Sequence, residues 1–243
     1  MTTLRFLGCG DAFGSGGRFN TCFLLTYGET RALIDCGASS LIAMRKFGVE
    51  PNGIGTILIT HLHGDHFGGL VFLLLDAQLV SRRTAPLTIA GPPGIAKRLD
   101  DAMEVFFPGS SGIPRKYELQ VVELEAGVRR EFGPVTVTPH LVKHPCGAPP
   151  FALRVELGGK SVTYTGDTEW VDALIPAAEG VDLLVAEAYF HDKPIRYHLN
   201  FETVRQNLPR LGARRVVLTH MSPDMLARDR GCEVAEDGLE LEI

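Results

Sequence analysis

Four side chains that can bind metal crowd into six consecutive positions of the segment ITHLHGDHFGGL: His61, His63, Asp65 and His66. Alternate residues of an extended chain point the same way, so His61 and His63 can converge on one ion. Gly64 allows a turn, after which Asp65 and His66 can face a second ion. Imidazole and carboxylate ligands suit zinc, and also manganese or iron. Solvated loops and helix caps rarely need four such side chains, so the segment predicts a metal centre.

Two coordination spheres need more ligands than one loop can supply, and three further candidates stand at the ends of predicted strands. His144 follows VTVTPHLVK, Asp167 follows KSVTYTG and His220 follows RRVVLT. Strand ends that gather at one edge of a sheet are a natural place for a site. We therefore expect these three side chains beside the histidine-rich segment.

Short β-rich segments alternate with helical ones around these residues. TLRFLG, CFLLTY, RALIDCG and GTILIT are typical of strands, and FGGLVFLLLDAQLV is typical of a helix buried on most sides. Further helices are expected from about Trp170 and over residues 200–211, and CEVAEDGLELEI predicts a hairpin that turns at Asp237-Gly238. No linker or repeat is visible, so we predict one α/β domain over residues 1–243, with two sheets between helix layers.

The composition of the chain bears on its binding partners and its cellular location. The net charge of −5 speaks against a broad basic surface for nucleic acid. The five cysteines are scattered without a CxxC pair, so we expect small buried thiols rather than disulfides or a cysteine-ligated zinc. No signal segment is apparent, and the most apolar run ends at Asp76, well short of the ~18 residues of a membrane span. The expectation is a cytoplasmic protein without a membrane partner.

The order of the candidate ligands resembles that of the metallo-β-lactamase-fold superfamily, in which H-x-H-x-D-H is followed by His, Gly-Asp and His. The resemblance covers nearly the whole chain and implies a four-layer αββα sandwich with the site at one edge. The ligands that it implies are His61, His63 and His144 for one ion, Asp65, His66 and His220 for the other, and Asp167 as the bridge between them. Redox di-iron members carry Glu where this chain has His63, so a hydrolytic, zinc-type centre is expected.

Two divalent ions about 3.5–4 Å apart can share a hydroxide that serves as the nucleophile. Ionised Asp65, ionised Asp167 and the hydroxide remove three of the four metal charges, so the centre keeps about one net positive charge, which complements a monoanionic phosphodiester. A carbonyl hydrolase, such as a thioesterase, lactonase or lactamase, stays an open alternative because the same centre can attack a carbonyl group. A metal-binding module without catalysis is disfavoured by the complete ligand set.

Outside the metal centre the sequence resembles the tRNase Z-like phosphodiesterases, in FLGCGDAFGSGGRFNTCFLL, ALIDCG, LTIAGPPG and YHLNFETVRQNLPRLGARRVVLTHMSP. The resemblance implies that Glu187 holds His198 charged, so that His198 protonates the leaving alkoxide. We therefore assign catalytic roles to Asp65, Glu187 and His198. The chain has Leu199-Asn200 where that group has Ser-Thr, and it lacks the long arm with which the group grips tRNA.

The missing arm and the acidic net charge favour small or short phosphodiesters, as in the cyclic-phosphodiesterase relatives of this superfamily. They disfavour long nucleic acid and tRNA 3′-end cleavage, and the resemblance is compatible with a homodimer. Asp35 is expected to orient a metal-binding histidine. The glycine-rich loop over residues 8–17 is expected to border the site. Six other residues are expected on the surface or without a role: Arg18, Arg82, Arg83, Arg196, His140 and His191.

Overall fold

Two β-sheets lie face to face in the computed structural model, which describes residues 1–228 and 231–243. The strands are β1 (Thr2–Gly8), β2 (Cys22–Tyr27), β3 (Thr30–Ile34), β4 (Thr56–Leu58), β5 (Leu87–Gly91), β6 (Leu119–Glu123), β7 (Arg130–Phe132), β8 (Val135–Leu141), β9 (Phe151–Leu157), β10 (Lys160–Tyr164), β11 (Leu183–Glu187), β12 (Val216–Thr219) and β13 (Glu240–Glu242). The helices are α1 (Ser40–Lys46), α2 (Gly64–Phe67), α3 (Gly69–Leu79), α4 (Ile95–Phe106), α5 (Leu174–Ala178), α6 (Phe201–Leu211) and α7 (Pro223–Leu226).

Both sheets are mixed. The first has the order β13-β1-β2-β3-β4-β5-β6, and the second has the order β12-β11-β10-β9-β8-β7. Strands β3 to β6 run parallel to one another, as do β10, β11 and β12. The carboxyl ends of each parallel group therefore lie together at one edge of their sheet.

Three apolar clusters hold the layers together. One packs α1, α3 and α4 on the outer face of the first sheet, and another packs α5 and α6 on the outer face of the second. The third lies between the sheets, where the Phe23 ring meets Phe6 at 5.0 Å and Tyr164 at 4.9 Å between centroids. Edge-to-face aromatic pairs of this kind stabilise a core beyond their area burial. The predicted four-layer αββα sandwich is confirmed.

The carboxyl-terminal segment is not the predicted hairpin. Val234 makes a parallel bridge to Leu218 at the edge of the second sheet, whereas β13 pairs antiparallel with β1 at the edge of the first. The two halves of the segment therefore pair with the edges of different sheets and not with each other. This pairing provides hydrogen-bond partners for backbone groups at both sheet edges. The helix expected from about Trp170 begins later, at Leu174.

The cysteines follow the prediction except at Cys232, which lies on the surface, while the other four are buried. Within the described residues, no helix is long and apolar enough to cross a membrane.

Arg83 corrects the expectation of a solvated side chain. It is only 3% exposed, and its guanidinium donates to the backbone carbonyls of Ile54 at 2.6 Å and Ala85 at 2.7 Å, among others. These carbonyls belong to loop segments rather than to strands, so no sheet ladder supplies them with a donor. A planar guanidinium can donate in several directions at once, which explains why an arginine fits this buried position.

The Arg83→Lys variant should lose about 2 kcal/mol of unfolding free energy, because a lysine cannot reproduce the fork of donors to buried carbonyls. Urea unfolding followed by circular dichroism measures this loss. Arg82→Lys is the matched control at the exposed neighbouring position and should change stability by less than about 0.5 kcal/mol. Equal midpoints for the two variants would contradict the structural role of Arg83.

Candidate metal centre

Strand ends from both sheets meet at one edge of the sandwich and present acids and histidines there. Asp35 directly follows β3, and His61 stands three residues beyond β4. From the second sheet, Asp167 comes after β10, Glu187 closes β11 and His220 follows β12. All five are buried. The apolar strands fix the positions of these polar residues, as the sequence pattern predicts.

A first cluster consists of His61, His63 and His144, whose ligand nitrogens lie within 4.8 Å of one another. Nε2 of His144 is 3.0 Å from Nδ1 of His63. The other nitrogen of His144 lies 2.9 Å from the carbonyl oxygen of Tyr197, which can only accept a hydrogen bond. Nδ1 therefore carries the proton, and the lone pair of Nε2 faces the cluster. Nε2 of His61 is buried without a hydrogen-bond partner.

A second cluster consists of Asp65, His66, Asp167 and His220. Nε2 of His66 lies 3.4 Å from Nε2 of His220 and 3.3 Å from a carboxylate oxygen of Asp65 and of Asp167. Tetrahedral ligands with bonds of about 2.1 Å to zinc have nearly these separations. Oδ1 of Asp167 is also buried and makes no hydrogen bond. The cluster has the spacing of ligands around one ion.

Asp167 lies between the two clusters. Its Oδ2 is 3.5 Å from Nε2 of His220 in the second cluster, and 3.8 Å from Nε2 of His61 in the first. This position agrees with the predicted bridging role, which stays a proposal.

Asp35 supports His66 from outside the cluster, in the contact that the sequence predicts. Its Oδ2 is 2.7 Å from Nδ1 of His66, and its Oδ1 accepts the backbone N–H of Thr60 at 2.7 Å. Burial raises the pKa of Asp35, while the charge and hydrogen bond of His66 act in the opposite direction. Because Nδ1 of His66 donates to Asp35, its Nε2 is left to face the second cluster.

Buried negative charge gives the site its electrostatic character. Four carboxylates lie here, of Asp35, Asp65, Asp167 and Glu187, and their side chains are at most 10% exposed. Among the described residues, no lysine or arginine nitrogen comes within 4.0 Å of their oxygens. Burying several carboxylates together is costly unless positive charge lies beside them. The charge and the donor set of imidazoles and carboxylates both fit divalent metal ions.

His198 and Glu187 form a pair beside the second cluster. Nδ1 of His198 is 2.9 Å from Oε2 of Glu187, whose other oxygen accepts the backbone N–H groups of Thr168 and Leu199. Burial opposes a charge on His198, but the hydrogen bond and charge of Glu187 raise its pKa above the ordinary value. The bond at Nδ1 leaves Nε2 of His198 as the nitrogen that can act on a substrate.

A cavity of about 280 Å³ opens above the clusters. Six predicted site residues line it: His63, Asp65, His144, Asp167, His198 and His220. The glycine-rich loop borders the site as expected. The apolar part of the wall consists mainly of Phe13, Tyr189 and Ile195, which the sequence analysis did not identify. In the sequence they are recognisable only as large apolar residues within predicted loops. Phe13 lies in the glycine-rich loop, and Tyr189 and Ile195 follow the end of β11.

Two histidines lie outside the site, in agreement with the sequence analysis. His140 is on β8, where burial and the charge of Arg154 lower its pKa. The ring of His191 packs against Phe201, with centroids 5.2 Å apart.

The family model described as a beta-lactamase superfamily domain matches residues 30–221 of the chain. A ribonuclease Z from Anoxybacillus flavithermus is 30% identical over 277 aligned positions, covering 90% of this chain and 86% of that protein. The crystal structure of the human tRNase Z short form is 26% identical, with a TM-score of 0.78 over 99% of each chain. The metallo-β-lactamase-fold protein YhfI from Bacillus subtilis is 22% identical, has a TM-score of 0.80 over 100% of both chains, and shares the fold.

Removal of metal by a chelator should lower the melting temperature by about 5–10 °C, because the buried carboxylates lose their compensating charge. Differential scanning fluorimetry of zinc-loaded and chelated protein measures the shift, and added zinc should reverse it. Identical melting curves would argue against a metal centre.

The Asp167→Asn variant provides a second readout of the same centre. It keeps the size of the side chain and removes its charge, so zinc content by mass spectrometry should fall and the chelator shift should shrink. Asp172→Asn is the matched control, since the Asp172 side chain is 77% exposed and lies outside both clusters.

Proposed function

The chain belongs to the β-lactamase superfamily and is a metal-dependent hydrolase, and we propose that it cleaves small or short phosphodiesters. The observation that carries this proposal is the bond of 2.9 Å between His198 and Glu187 at the wall of the cavity. Alkoxide leaving groups are poor and need a proton donor, whereas an activated carbonyl does not need such a pair. The names of the ribonuclease Z relatives support the same reaction class.

The two clusters would each hold one divalent ion. We propose His61, His63 and His144 as ligands of one ion, Asp65, His66 and His220 as ligands of the other, and Asp167 as the shared ligand. Zinc suits this donor set, and manganese or iron are alternatives. When bound, such a pair of ions activates water as a nucleophile at neutral pH and polarises the attacked phosphorus centre.

The residues of the chain itself set the charge and move the proton. Asp65 and Asp167 would offset two of the four metal charges and a bound hydroxide a third, so that a monoanionic diester is favoured over a more highly charged phosphate. His198 donates a proton to the leaving oxygen, and Glu187 holds its ring in place through Nδ1. Glu187 is itself fixed by two backbone N–H groups, so the donor keeps one orientation.

Two features support a short substrate. Between His144 and Asp167 the chain forms only a loop and the hairpin of β9 and β10. The alignment with the Anoxybacillus protein spans 277 positions, more than the 243 residues of this chain, so part of that relative has no counterpart here. Cleavage of tRNA 3′ ends is the second candidate, favoured by the names of the relatives.

The aromatic patch formed by Phe72, Phe106 and Phe107 supports a further proposal, that two copies of the chain associate. These residues are 37%, 55% and 38% exposed. The ring centroid of Phe72 lies 6.1 Å from that of Phe106 and 5.8 Å from that of Phe107. Exposed apolar patches often mark interfaces. The protein should behave as a dimer in light scattering, and Phe106→Glu should shift it to a monomer. A wild-type monomer at high concentration would contradict this interface.

The His198→Ala variant should lose about 10²–10³-fold in kcat/KM for a dinucleotide, because its leaving alkoxide needs the proton. The loss for bis-p-nitrophenyl phosphate, whose leaving group needs no proton, should stay within about threefold. Steady-state kinetics of zinc-loaded protein measures both losses. His191→Ala is the matched control, a histidine outside the cavity.

The same assay separates the competing functions. Equal losses on both diesters would remove the proton-donor role of His198. Faster turnover of a thioester, lactone or lactam than of any diester would favour a carbonyl hydrolase. Cleavage of a precursor tRNA without turnover of the short diesters would favour the second candidate.

A further inference from the structure

Among the described residues, Phe13 is the most exposed large apolar side chain, at 83%. It lines the cavity above the candidate metal centre. The other exposed phenylalanines, Phe106 and Phe107, each contact the ring of Phe72, whereas no ring contact of Phe13 is found among the described residues. Exposure of an aromatic ring to water is unfavourable, and a planar group that bound against the ring would bury its surface.

The loop that carries Phe13 is held in place from within. Asp11, which is fully buried, accepts the backbone N–H of Phe13 at 3.1 Å and the N–H and hydroxyl of Ser15 at 2.9 and 2.6 Å. Asn20 donates to the carbonyl of Asp11 at 3.0 Å. These hydrogen bonds fix the backbone of the loop that carries the ring. Ligand binding therefore costs little conformational entropy of the loop.

The base of the loop is closed by the residue that the sequence assigns to a hairpin turn. The carboxylate of Asp237 accepts the N–H of Cys9 at 3.1 Å and the N–H of Phe19 at 2.8 Å, on either side of the loop. The N–H of Gly10 also donates to the carbonyl of Phe19 at 2.7 Å. Asp237 is thus a positioning residue, which fixes the loop that presents Phe13.

We propose that Phe13 is a stacking platform for a nucleobase attached to the phosphodiester that the metal centre cleaves. The polar floor of the cavity would take the phosphate, and the apolar wall of Phe13, Tyr189 and Ile195 would take the flat ring. The cavity volume of about 280 Å³ lies near the lower end of the range of small-molecule sites, roughly 300–1,000 Å³, which supports a small ligand. Stacking is sequence-tolerant because every base has an aromatic face. This inference rests on the proposed phosphodiesterase function and specifies its substrate class.

The test compares two cyclic diesters that share the reacting group, adenosine 2′,3′-cyclic phosphate and the base-free glycerol 1,2-cyclic phosphate. Phe13→Ala should lower kcat/KM for the adenosine substrate about 10-fold, as expected for the loss of one stacked base, and leave the base-free substrate unchanged. Phe13→Trp should retain the preference for the adenosine substrate. Ile42→Ala is the matched control, an apolar side chain on α1 that is 64% exposed and lies outside the cavity.

Binding of adenosine 3′-monophosphate, measured by calorimetry, provides a readout that needs no turnover. Phe13→Ala should weaken this affinity about 10-fold, and glycerol 1-phosphate should bind wild type and variant alike. Equal effects of Phe13→Ala on both substrates or on both ligands would overturn the platform, as would no effect on the adenosine ligand. Affinity that depends on Phe13, in a protein that cleaves no diester, would support the platform and overturn the proposed reaction.

Discussion

Negative charge buried at the ends of parallel strands is the constraint on which the rest of this structure depends. Asp35, Asp167 and Glu187 follow or close strands of two different sheets and are 0%, 2% and 0% exposed. Asp35 and Asp167 contact His66, and Glu187 contacts His198, so the nearby partners of these carboxylates are imidazoles rather than lysine or arginine side chains. Divalent cations in the clusters would offset the cost of burying these acids. The stability of this edge and its catalytic use have the same physical origin.

The packing of the two sheets is what brings these acids together. Ile34 pairs with Leu58 in the first sheet, and Tyr164 pairs with Val185 in the second, so neighbouring parallel strands end nearly in step. The Phe23 ring, packed against Tyr164 at 4.9 Å, joins the sheets close to these ends. A slip of one residue in any of these ladders would turn the following side chain to the opposite face. Exact register in an apolar core is thus a condition for a polar site outside it.

Much of the fold and of the metal centre could be predicted because their signals are local. His61, His63, Asp65 and His66 lie together in the sequence, and the strands before Asp167 and His220 are short apolar runs with clear ends. The exceptions depend on distant partners. Arg83 donates to carbonyls of loop segments that no motif marks, and Asp237 accepts from Cys9 and Phe19, more than two hundred positions away. An Asp-Gly pair signals a turn, but it cannot show that the carboxylate serves another segment.

The candidate metal ligands and the aromatic ring at the cavity also differ in how easily the sequence reveals them. Asp35, Asp167 and His220 lie at or just beyond strand ends, where the sheet ladders hold them in place. Phe13 lies instead on a loop whose shape depends on Asp11 and Asp237, so its ring could be replaced without disturbing a single strand. A short motif can therefore identify the candidate metal centre in this chain, whereas only the folded structure places the exposed ring of Phe13 beside it.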